Sequence, residues 1–145
     1  MDQISLNVMK DKEGMEHVKI IINGENLIEV LKRIEIQYDK SIAGQYIGLP
    51  PAVVFSPSNH FLGITHEDLD YHDDKSAIFI CECGVAGCWD FIVKITISDE
   101  TVTWSDFELP HRGPESASGY WNYKCLNFFV FDRRQYESQL TKINL

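Results

Sequence analysis

Three of the four cysteines in this chain fall within eight positions, in Cys81-Glu82-Cys83-Gly84-Val85-Ala86-Gly87-Cys88-Trp89. Clustered thiols around a glycine-bent loop have three chemistries open to them: they can hold a metal, exchange electrons as a disulfide or redox pair, or pack as small apolar groups. On a strand, Cys81 and Cys83 point to one face because side chains alternate. Gly84 and Gly87 allow the tight backbone path that brings Cys88 back toward Cys83. The Cys83-x4-Cys88 spacing is near the knuckle spacing of tetrahedral zinc, which takes three or four sulfur or nitrogen ligands. A fourth ligand would have to come from Cys125 or His111. The candidate zinc set is therefore Cys81, Cys83, Cys88, His111 and Cys125. Against it, a zinc ribbon would show a second close cysteine pair, and the single residue between Cys81 and Cys83 is tighter than a usual knuckle.

Other residues carry weaker signals. His111-Arg112 sets an imidazole beside a guanidinium, which suits either an anionic group or a surface salt bridge. The run from His66 to Asp74 is rich in hard oxygen donors, yet it fails the calcium-loop pattern. Counting Asp68 as the first position, Asp73 stands where glycine is required and Phe79 where the closing glutamate belongs. The run reads instead as a solvated or docking surface, with Glu67, Asp68, Asp70, Asp73 and Asp74 as the carboxylates a basic partner would meet. Trp121 and Tyr123, beside a glycine-containing loop, are candidate interface anchors among aromatics that otherwise suit a core. No nucleophile elbow, phosphate loop or dinucleotide fingerprint is present. Cys88 or Cys125 with His111 would make a nucleophilic pair only if the fold brought them together.

Positioning these residues requires a fold, and the hydrophobic pattern supplies one. Ile4, Leu6 and Val8 alternate with polar neighbours, as do Val18, Ile20 and Ile22, predicting two strands joined across Lys10 to Glu16. Asn26 with Glu29 is a capping box opening a helix whose stripe is Leu27, Val30, Leu31 and Ile34, fraying near Tyr38. Residues 41–65 read as irregular chain with one short strand. Ala77 to Cys81 suits a buried strand, and Phe91 to Ile97 and Thr101 to Phe107 suit a hairpin about Asp99-Glu100. Tyr123 to Phe131 predicts a last strand, and Asp132 with Gln135 opens a second helix lined by Tyr136, Leu140 and Ile143. The expected architecture is α+β: a mainly antiparallel sheet with two helices in a single domain, residues 1–145.

Composition bounds the function. At 145 residues and 44% hydrophobic, the chain is long and apolar enough to bury a real core. Thirteen basic against twenty-two acidic residues leave a net charge of −9, which disfavours nucleic acid and anionic lipid and favours basic proteins or cations. No apolar run approaches a membrane span, and Met1 to Ser5 begin no basic, apolar leader, so a cytoplasmic location is expected.

Several motifs together carry a resemblance. Ala43-Gly44-x-Tyr46-x-Gly48-Leu49, the Cys-x-Cys-Gly-x-x-Gly-Cys-Trp loop and Val102-Thr103-Trp104-Ser105-Asp106-Phe107 come first. Pro110-His111-Arg112, Trp121-x-Tyr123 and Phe131-Asp132-Arg133-x-x-Tyr136-Glu137 follow. The succession spans most of the chain and resembles a family of small bacterial proteins with no assigned activity. The resemblance implies a bacterial cytosolic protein and marks the cysteine loop, Pro-His-Arg and Trp-Asn-Tyr segments. Asn122 stands where that pattern expects an acid, and Asp90 where it expects proline. The expected function is a non-enzymatic, immunity- or inhibitor-like binding module with a structural cysteine loop. The alternative is a metal- or thiol-dependent enzyme using Cys83, Cys88, His111 and Cys125.

Overall fold

A computed structural model of the chain describes residues 1–82, 90–110 and 121–142. The first two strands, β1 (Ile4–Lys10) and β2 (Glu16–Ile22), pair antiparallel in the register that alternation requires, with Ile4 opposite Ile22, Leu6 opposite Ile20 and Val8 opposite Val18. A two-residue strand, β3 (Glu25–Asn26), completes this three-stranded sheet and leads directly into helix α1 (Leu27–Glu35). Asn26 caps the helix, its side chain accepting the Ile28 N–H and so satisfying one of the donors left free at a helix start. Leu27, Leu31 and Ile34 are buried as the stripe predicts.

The second sheet is five-stranded and antiparallel throughout: β4 (Tyr46–Gly48), β5 (Ser76–Cys81), β6 (Phe91–Ile97), β7 (Thr101–Glu108) and β8 (Phe129–Asp132), in that spatial order. The stretch before β5 also holds a four-residue helix, α2 (Pro51–Val54), and a 3₁₀ turn over His60–Leu62, so it is more regular than its proline and glycine content suggests. The hairpin between β6 and β7 closes at Asp99-Glu100, with Ser98 N–H donating to Thr101 O at 2.9 Å.

One predicted element is corrected. The strand expected over Tyr123 to Phe131 is only the four residues of β8, because Lys124–Leu126 form a 3₁₀ turn and Asn127 takes φ 59°, ψ −112°, which extended chain does not allow. The last helix, α3 (Arg133–Leu140), starts where predicted, with the Asp132 side chain accepting the Gln135 N–H at 3.0 Å. Tyr136 and Leu140 are its buried face, and Ile143 lies outside the described residues.

Both sheets and both longer helices feed one apolar cluster that includes Ile4, Leu6, Ile20, Leu31, Phe61, Phe79, Phe91, Trp104 and Phe131. Two contacts fix how the sheets meet. The Val18 N–H donates to Leu49 O at 2.8 Å, and a Cβ added to Gly48 would lie 1.9 Å from the Val18 carbonyl oxygen. Only a residue without a side chain lets β4 pass this close to β2. At the other end, α3 lies along β1. Gln135 accepts the Ile4 N–H and donates to the Ile4 carbonyl, Gln139 accepts the Leu6 N–H, and Lys142 donates to the Leu6 carbonyl. No helix among the described residues is long and apolar enough to cross a membrane.

Candidate functional site

The acidic run is a surface loop mounted on two inward pegs. Between Gly63, which takes a left-handed φ of 92°, and β5, the side chains of Glu67, Asp68, Asp70, Asp73 and Asp74 are exposed. The backbone of His66 and the ring of His72 tie the loop to the interior. The His66 N–H donates to Nδ1 of His60, a fully buried imidazole, at 3.1 Å. His72 places Nε2 3.0 Å from Oδ2 of Asp90, which has no exposed surface. The loop closes where Lys75 N–H donates to His72 O at 3.1 Å. Tied at the His66 backbone and the His72 ring, the loop has its carboxylates and one ring outside. That ring is Tyr71, 74% exposed, with Ile64 at 65% near the loop's start. Among the described residues, only Asp68 and Asp74 of the five acids find basic partners nearby, His66 and Lys94, both at 3.7 Å. Exposed pairs at that separation contribute little and leave the field of the loop strongly negative.

His60 explains why the base of this loop is firm. Its Nδ1 accepts a backbone N–H, so Nε2 carries the proton and donates to Ala77 O at 2.6 Å. Burial is the largest cause of a lowered pKa, opposed by the Ala77 bond and reinforced by nearby His66. The ring is neutral and satisfied on both sides.

A second constellation lies deep inside. Glu35, on the last turn of α1, has no exposed surface, and its Oε2 accepts the hydroxyls of Tyr46 at 2.5 Å and Tyr123 at 2.6 Å. Its Oε1 accepts the Gly44 N–H at 2.9 Å. Burial, and after it the neighbouring Tyr46 and Glu35, push the Tyr123 phenol far above its ordinary value, which makes it a fixed hydrogen-bond donor. The cluster ties α1, β4 and the turn before β8 together. Sequence reading did not single out Glu35, although the signal was present. Glu35 follows Leu31 and Ile34 on the apolar stripe, where an ionisable side chain has to be met by donors.

The aromatic anchors expected at the surface are inside. Trp121 is 1% exposed and stacks on Tyr38 at 5.7 Å, and Tyr123 is 3% exposed in the Glu35 cluster. Neither side chain presents area to a partner. The exposed aromatic beside the acids is Tyr71.

Of the thiol set, Cys81 is half-buried at the end of β5, opposite Tyr46, and Cys125 is exposed in the 3₁₀ turn before β8. Cys83, Cys88 and His111 lie outside the described residues. Among the described residues no three histidine, cysteine or acidic side chains come together as a metal site. Comparison of the chain with protein-family models, curated proteins and solved structures found no match.

Proposed function

We propose that the protein is a non-enzymatic binding module of a bacterial cytoplasm, immunity- or inhibitor-like in character, whose His66–Asp74 loop docks a basic protein partner. The observation that carries this reading is Tyr71. A ring 74% exposed, set among exposed carboxylates on a loop pinned by His66 and His72, has the composition of an interface hot spot. A partner's arginine or lysine would meet both the ring face and the carboxylates, combining cation–π attraction with charge pairing. The net charge of −9 adds long-range steering toward such a partner. Because the pegs are already in place, little ordering of the loop opposes binding.

The test is capture from bacterial extract by the tagged chain. The expected result is a stoichiometric basic protein that is released by raised salt and retained about 30-fold less well by Tyr71→Ala, the loss typical of a central aromatic. Absence of any stable protein partner, together with turnover of small substrates by the purified chain, would overturn the reading.

A further inference from the structure

Asn23-Gly24 is the two-residue turn between β2 and β3, with Ile22 opposite Glu25 across it. Both residues take left-handed φ, 54° and 83°, the geometry that an Asn-Gly pair supplies to a tight hairpin. The pair also carries a chemistry of its own. The backbone nitrogen that follows an asparagine can attack that residue's side-chain amide carbon, and glycine, without a Cβ, hinders the attack least. Here both residues are exposed, and a Cβ added to Gly24 would meet nothing within 4 Å. Among the described residues the Gly24 N–H has no hydrogen-bond partner.

The Asn23 amide sits in a defined setting. Its Oδ1 accepts the Gln3 N–H at 2.9 Å, and its Nδ2 donates to Oδ1 of Asp2 at 2.9 Å. The Gln3 N–H therefore stands at hydrogen-bond distance from the oxygen on which negative charge develops when Cγ is attacked. Asp2 in turn clasps β8, the edge strand of the larger sheet. Its Oδ2 accepts the Val130 N–H at 2.8 Å, and its own N–H donates to Val130 O at 2.9 Å. One amide on the turn thus holds a carboxylate that fastens the other sheet.

From the unhindered Gly24 nitrogen, the polarised Asn23 amide and the carboxylate beside it, we propose that Asn23 is a self-modifying site whose deamidation loosens the Asp2 clasp on β8. In the first step the Gly24 nitrogen bonds to Cγ of Asn23, the Cγ–Nδ2 bond breaks, and the Gly24 proton leaves with that nitrogen as ammonia. Water then opens the cyclic imide. Breaking the new bond to Cγ gives aspartate, and breaking the original peptide bond gives isoaspartate. The aspartate sets a carboxylate oxygen at the place of Nδ2, 2.9 Å from an Asp2 oxygen that has lost its donor. Like charges at that range repel. The isoaspartate lengthens the main chain by one carbon and so breaks the two-residue turn. The site shares no residue with the His66–Asp74 loop and acts independently of it.

Incubation of the full chain at mildly alkaline pH, followed by peptide mass mapping and amide hydrogen exchange, tests the proposal. The expected result is the mass gain of exchanging NH for O at Asn23 before any other asparagine, in chain that stays folded. In Asn23→Asp the amides of Asp2 and Val130 should exchange about tenfold faster than in the wild type. Adding Asp2→Asn to Asn23→Asp returns one amide to the contact and should restore the slow rate. An unchanged mass in the folded chain, over a time in which a free peptide of residues 21–26 converts fully, would overturn the proposal. So would equal exchange in Asn23→Asp and the wild type, or a double variant as fast as the single one.

Discussion

The chain uses carboxylates in two opposite ways, and Glu35 and the Glu67–Asp74 loop show the contrast. Glu35 has no exposed surface and accepts from two phenols and a backbone amide. The loop acids are exposed, and among the described residues only two approach a cation or imidazole. A buried carboxyl acts by satisfying donors that water no longer reaches, so its value is structural and local. A solvated one contributes almost nothing to folding and acts at a distance through its field. The same functional group therefore holds the interior together in one place and marks the surface in the other.

The contrast is broken most severely at Glu35. Glu35→Ala leaves three inward donors without their acceptor, and unfolding in urea should show a loss of about 4 kcal/mol. Glu35→Gln keeps one acceptor oxygen and should lose about half as much. If Glu35→Ala unfolds at the wild-type midpoint, the interior carboxyl has no structural role.

His60 sits between the two regions, under the loop but inside the core, and gives an intermediate effect. Its folded pKa lies below the unfolded value of 6.5, so the unfolded chain takes up this proton first. The stabilisation is complete above pH 6.5 and is lost as pH falls below it toward the folded pKa. As a single-proton effect, its contribution to the slope is bounded by about 1.4 kcal/mol per pH unit. Denaturation series at pH 7.0 and 5.5 should show stability falling with pH in the wild type and a shallower fall in His60→Asn, measured against that variant's own lower baseline. Equal slopes in the two proteins would place His60 outside the acid response.

The loop should give the smallest change. Replacing Glu67, Asp70 and Asp73 by their amides together should move stability by less than about 0.5 kcal/mol per site, with the sign favouring the variant at low salt. A large loss would mean that the loop acids support the fold and would erase the distinction drawn with Glu35.

The sequence made some of this legible and hid the rest for definable reasons. Strict alternation in Ile4–Val8 and Val18–Ile22 predicted β1 and β2 as two strands joined across Lys10 to Glu16, and Asn26 and Asp132 marked helix starts by their capping chemistry. Asn127 hid the shortness of β8, because an apolar run carries no sign of a single residue turned out of extended geometry. Trp121 and Tyr123 looked like anchors because they flank a loop. Their burial depends on Tyr38 and Glu35, over eighty residues earlier in the chain. Tyr71 was passed over inside a run read only for its charge. Exposure is a tertiary property, and neither residue type nor neighbours in sequence reveal it.

The bonds from Gln135, Gln139 and Lys142 to β1 also set an order in time. Ile4 and Leu6 wait for partners 131 and 133 positions later, so the outer side of β1 lacks these bonds until α3 has been made. During synthesis that side is a row of open amides able to pair with another nascent chain. Once α3 arrives, its two glutamines stand in for a neighbouring strand and close the row. The helix therefore acts as a latch on β1, and weakening it exposes a strand edge prone to self-association.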